Sequence, residues 1–146
     1  MRDKQFVALH RGGTLTKEQH QELIRWASDC ATHVLALFGD CIDERLTNAL
    51  SVAKEWELGN ATVGEARKAS LGAIAVANDI TDPTGIAVAR CVGHAVATAH
   101  MADHSLRAAE YALKAIKESG KSVETERSWQ VVQLSKEIRE IVLSTR

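Results

Sequence analysis

The stretch that decides the fold is Gly93-His94-Ala95-Val96-Ala97-Thr98-Ala99-His100-Met101-Ala102-Asp103-His104. It sets three histidines and an aspartate in an alanine-rich apolar run, where polar side chains are costly. A buried imidazole must be hydrogen-bonded, hold a metal or take part in chemistry. Followed back to Pro83, the run continues with Ile86, Val88, Cys91 and Val92 among further alanines. A helix that is apolar almost all round belongs at the centre of a fold. Its small residues let neighbouring helices come close.

Length limits this helix. From Pro83 to Ser119 a single helix would run ~55 Å at the α-helical rise. A compact domain of this size is only ~38 Å across. The chain is therefore expected to break, with Asp103 or Ser105 capping the next helix. On that reading His94 and His100 lie inside the fourth helix and His104 at its exit.

Upstream, Thr16 and Gln19 form a capping box. Leu23, Ala27, Cys30, Val34 and Phe38 then recur at helical spacing and end near Gly39. Asp43 caps a second helix through Leu46, Leu50, Ala53 and Trp56, stopped by Gly59-Asn60. Thr62 and Glu65 open a third through Ala66, Ser70, Ala73 and Ala77, and Asp82-Pro83 opens the fourth. Downstream, Leu106, Ala109, Leu113 and Ile116 make a fifth helix closed by Gly120. Residues 124–134, with Trp129, make a sixth, and Ser135 is expected to cap a short last helix carrying Ile138, Ile141 and Val142. Residues 1–15 read as a loosely ordered arm or a short helix. The expected fold is all-α: a single domain over residues 1–146, a compact bundle of about six to seven mostly antiparallel helices around the alanine-rich one.

Composition narrows the function. A net charge of −1 gives no overall field to gather nucleic acid or an anionic membrane. The apolar run Ile86 to Ala102 is interrupted by Arg90, His94 and His100, short of the ~20 residues that span a bilayer. No apolar run follows a basic start, so no secretory signal is expected. The three cysteines, Cys30, Cys41 and Cys91, suit reduced thiols in a cytoplasmic protein. Cys30 shares the stripe of Leu23, Ala27 and Val34, which predicts an inert core thiol.

His100 and His104, four apart with Asp103 beside them, have a spacing that can ligate zinc, and Cys30/His33 and Cys91/His94 pair a thiol with an imidazole one turn apart. Methionine stands where a zinc protease would carry its general-base glutamate. The other reading makes His33, His94, His100, Asp103 and His104 a structural polar cluster, bonded to backbone or carboxylates. No cofactor is implied. Asp40, Asp43 and Glu44 in one connection and Asp79 and Asp82 in another are mostly capping residues. Gathered at one end of a bundle they would also suit a basic partner. Trp26, Trp56 and Trp129 sit at helix edges, where packing is expected; Trp26 or Trp56 could instead mark a homodimer contact.

One resemblance joins these readings. Trp26-Ala27-x-x-Cys30-Ala31-x-His33-Val34-Leu35-x-Leu37-Phe38, Asp43-Glu44-Arg45, Ala53-x-x-Trp56-x-x-Gly59, Ala66-Arg67-Lys68-Ala69 and above all Gly93 to His104 resemble a group of small all-helical bacterial immunity proteins of polymorphic toxin systems. Ala108-Ala109-x-Tyr111-Ala112-x-Lys114-Ala115, Glu126-Arg127-x-Trp129-Gln130 and Ile138-Arg139 extend it. The resemblance implies a cytoplasmic, non-catalytic protein that binds and neutralises a cognate toxin domain. A helical metalloprotein or small enzyme using His94, His100 and His104 is the alternative.

Overall fold

The computed structural model describes residues 3–146, so the first two residues of the N-terminal arm lie outside it. Among the described residues there are seven α-helices and no strand: α1 (Lys17–Val34), α2 (Glu44–Glu57), α3 (Val63–Asp79), α4 (Pro83–Ala97), α5 (His104–Glu118), α6 (Val123–Val132) and α7 (Lys136–Leu143). The all-α architecture expected from the sequence is the one that forms. Short 3-10 turns at Lys4–Phe6, Leu9–Arg11 and Leu35–Phe38 complete it.

The helix starts follow their caps. The capping boxes Thr16/Gln19 and Thr62/Glu65 are both closed in each direction. Asp43 accepts from the Arg45 N–H, and Asp82, ahead of Pro83, accepts from the Gly85 N–H. Gly59 and Gly120 take the left-handed conformation that ends α2 and α5, at φ 83° and 82°. Ser135 occupies the cap position of α7 as expected, but its hydroxyl makes no capping bond.

Central placement of α4 follows from its composition. Val88, Val92 and Val96 are fully buried, and the helix packs against α5, α3, α1 and α2. The crossing with α3 is tight at Gly93. A Cβ there would come within 2.6 Å of Ile74 Cδ1, and the Ser70 hydroxyl donates to the Gly93 carbonyl at 3.0 Å. Arg45 at the start of α2 reaches Asp79 at the end of α3, while Trp56, Val63 and residues 99–102 line one wall at the opposite end. Thus α2, α3 and α4 run up, down and up.

The break between α4 and α5 comes earlier than the sequence suggested. Helix α4 ends at Ala97, so His100 lies in the connecting turn rather than inside the helix, and His104 is the first residue of α5. Thr98 explains the stop. Its N–H is shared between the carbonyls of His94 and Ala95, and its hydroxyl back-bonds to the His94 carbonyl at 3.1 Å. Ala99 and His100 then bond three residues back, which tightens the chain into a turn. Asp103 holds the cap position of α5 without a side-chain capping bond, and Ser105 donates to the Ala102 carbonyl.

The N-terminal segment docks through Phe6 and Leu15, both buried. Its backbone bonds to itself, Leu15 to Val7 and Leu9 to Leu15. Gly13 lies so close to the Val7 carbonyl that no side chain fits there. Trp26 is buried and its indole N–H donates to the Gln130 carbonyl at 2.9 Å. The Gln130 side chain, also buried, donates to the Ala109 carbonyl and accepts from Arg146. These bonds tie α1, α5 and α6 together and leave Trp26 no surface for a subunit contact.

Candidate functional site

The histidines separate into two groups. His94 and His104 meet across the α4–α5 turn with their Nδ1 atoms 2.8 Å apart, one ring donating and the other accepting. That is shorter than the roughly 3.3 Å that separates two nitrogens on a tetrahedral zinc ion, from the usual Zn–N bond length. The His94 ring lies parallel to Tyr111 at 5.2 Å, and His100 is tilted against His104 at 5.6 Å. Burial, reinforced by His104, Arg107 and Arg90, pulls His94 down to about 4, so it is a neutral imidazole near pH 7. His20, on α1, donates Nε2–H to the Thr98 carbonyl at 2.6 Å and rests against Trp56. Burial lowers its pKa, the bond to Thr98 opposing.

His33 stands apart from this group. Its Nδ1 meets the buried Glu126 carboxylate at 2.7 Å, and its ring stacks on Trp129 with centroids 3.6 Å apart. It pins α1 to α6. Neither thiol that the sequence pairs with an imidazole is activated. Cys30 and Cys91 are buried and their pKa values are raised by that burial; Cys91 donates to the Ala108 carbonyl. Among the described residues no group of three or more His, Cys, Asp or Glu side chains is arranged to hold a metal ion. Because His100 is off α4, it shares no helical face with His104.

The acidic residues are only partly brought together. The Arg45 guanidinium bonds Asp43 at 2.9 Å and Asp79 at 3.1 Å, which holds the Asp43 carboxyl below its usual range. The Asp82 side chain is used as the α4 cap. Asp40 and Glu44 are exposed in the same region.

Among the partners in these clusters, His20 does not figure in the sequence reading, and Tyr111, Glu126, Gln130 and Arg45 figure there only in the motifs of the resemblance, with no role assigned. Tyr111 carried a usable signal, seven residues from His104 and so on one face of α5. His20 carried none, because its partner lies on a segment remote in sequence.

The fold and these clusters define an all-α bundle whose interior polar groups join helix to helix. A family described as Imm-5 like putative immunity protein matches residues 13–137, and the chain belongs to that family. Neither the curated proteins nor the solved structures contain a match to it. Among the described residues no helix is long and apolar enough to cross a membrane.

Proposed function

We propose that this chain binds a cognate toxin domain of a bacterial polymorphic toxin system in the cytoplasm and neutralises it by occlusion, with no chemistry of its own. The observation that carries the reading is membership of an immunity family over residues 13–137. The use of polar side chains agrees with it: His33, Cys91 and Gln130 bond other helices, and the buried thiols stay protonated. His94, His100, Asp103 and His104 act on this reading as a clasp that shapes the α4–α5 turn. The interface would bury on the order of 1,600 Å² in total.

Co-expression with the toxin domain encoded beside this chain tests the proposal. Rescue of growth and a stable complex are the expected result; full toxicity in the presence of folded protein would contradict it. Elemental analysis of protein purified without added metal addresses the metalloprotein alternative. The expected result is no stoichiometric zinc or iron. About one equivalent per chain, lost in His100→Ala, would overturn the non-catalytic reading.

A further inference from the structure

The end of the bundle away from the acidic loops is hollowed into a cleft. Two adjoining cavities of about 570 and 440 Å³ share His20, Trp56 and Leu15 as walls, and the N-terminal segment closes one side. Arg11 and Arg67 line the first and Lys17 the second, while no carboxylate lines either. Of the acidic side chains close by in sequence, Glu65 bonds in its capping box and Glu57 pairs with Lys54, while Glu18 and Asp103 adjoin lining residues without lining the cleft themselves. This cationic charge is therefore not matched from within the cleft.

Exposed apolar side chains gather at the same place. Of the six large hydrophobic residues exposed among the described residues, Leu9 and Val63 line the cleft, and Leu58 precedes Gly59, which also lines it. Leu9 is 61% exposed and Leu58 57%. Apolar surface exposed beside a concavity marks an interaction site. The unmatched cations set the sign of the partner.

We propose that this cleft is the docking surface for an acidic segment of a partner protein, with an apolar or aromatic side chain seated beside Trp56 and flanking carboxylates paired with Arg11 and Arg67. The proposal rests on the toxin-binding reading and deepens it by giving the partner's contact its chemistry. Arg11 and Arg67 are exposed, so charge reversal there leaves the core intact.

The test is the affinity of the adjacently encoded toxin domain for three forms of the chain: unaltered, Arg11→Glu/Arg67→Glu, and Asp43→Lys/Asp79→Lys. Circular dichroism checks that each is folded. The expected result is weakening on the order of 10- to 100-fold for the arginine pair only, with affinity of the unaltered chain falling as salt rises. Arginine reversal without effect, or loss confined to the aspartate pair, would overturn the cleft while leaving toxin binding standing. Absence of binding by the unaltered chain would overturn both. Binding of ATP at the same arginines, with toxin affinity unaffected by their reversal, would make the cleft a small-anion site and overturn the proposal.

Discussion

The two ends of the α2–α3–α4 layer treat charge in opposite ways. At the end where α2 and α4 begin, carboxylates are balanced locally: Arg45 bridges Asp43 and Asp79, and Asp82 caps α4. At the other end Arg11, Lys17 and Arg67 border an apolar hollow lined by no acid. The first end resembles an ordinary helix-capping surface. The second has no carboxylate among its lining residues and leaves apolar side chains exposed, which is why the proposed partner is placed there. Net charge, near zero for the whole chain, conceals this division.

The largest expected effect lies between the two ends, at the crossing that holds them in register. Gly93→Leu must displace Ile74, and a loss of about 3 kcal/mol is expected for such overpacking. Thermal or urea denaturation reads it; a variant as stable as the parent would mean that the α3–α4 contact is looser than the geometry indicates.

His94→Ala, at the cleft end, is expected to cost about 2 kcal/mol by leaving a polar partner unsatisfied. The same residue gives that end a pH signature. Unfolded histidine takes up its proton near pH 6.5, whereas His94 holds out to about 4. In that window the unfolded state binds more protons, so stability falls as pH drops from 6.5 to about 4 and then levels off. Allowing for screening at a half-buried ring, the loss is on the order of 1–2 kcal/mol. Urea midpoints across the window in parent and His94→Ala check this, and the slope should shrink in the variant. The acidic end responds later. Asp43 has a lowered pKa, so its contribution declines as pH falls below the ordinary aspartate range and is gone once pH has passed through the lowered value. Arg45→Ala is the smallest effect, below about 0.5 kcal/mol at neutral pH because the bridge is exposed. A loss of several kcal/mol there would erase the contrast between a passive end and a poised one.

Much of the scaffold could be read without coordinates because it is local. Capping boxes, proline at the first turn and glycine after the last encode helix limits within a few residues, and all-round apolarity identified α4 as central. The stop at Ala97 was less legible. It depends on Thr98 sharing its N–H and turning its hydroxyl back on the helix, a choice that threonine elsewhere in helices does not force. The site was less legible still. His33 belongs with Glu126 and Trp129 rather than with the other histidines, a pairing made between distant helices. The cleft draws Arg11, Trp56, Arg67 and residues 99–102 from four separate segments, and no spacing rule links them.

The central claim, that the cationic end is the working end, is tested most directly by hydrogen–deuterium exchange of the chain alone and in the presence of the proposed toxin domain. The account expects new protection over residues 6–20, 56–67 and 98–103, and no change over 40–45 and 79–85. Protection confined to residues 40–45 and 79–85 would contradict it and give the partner to the acidic end.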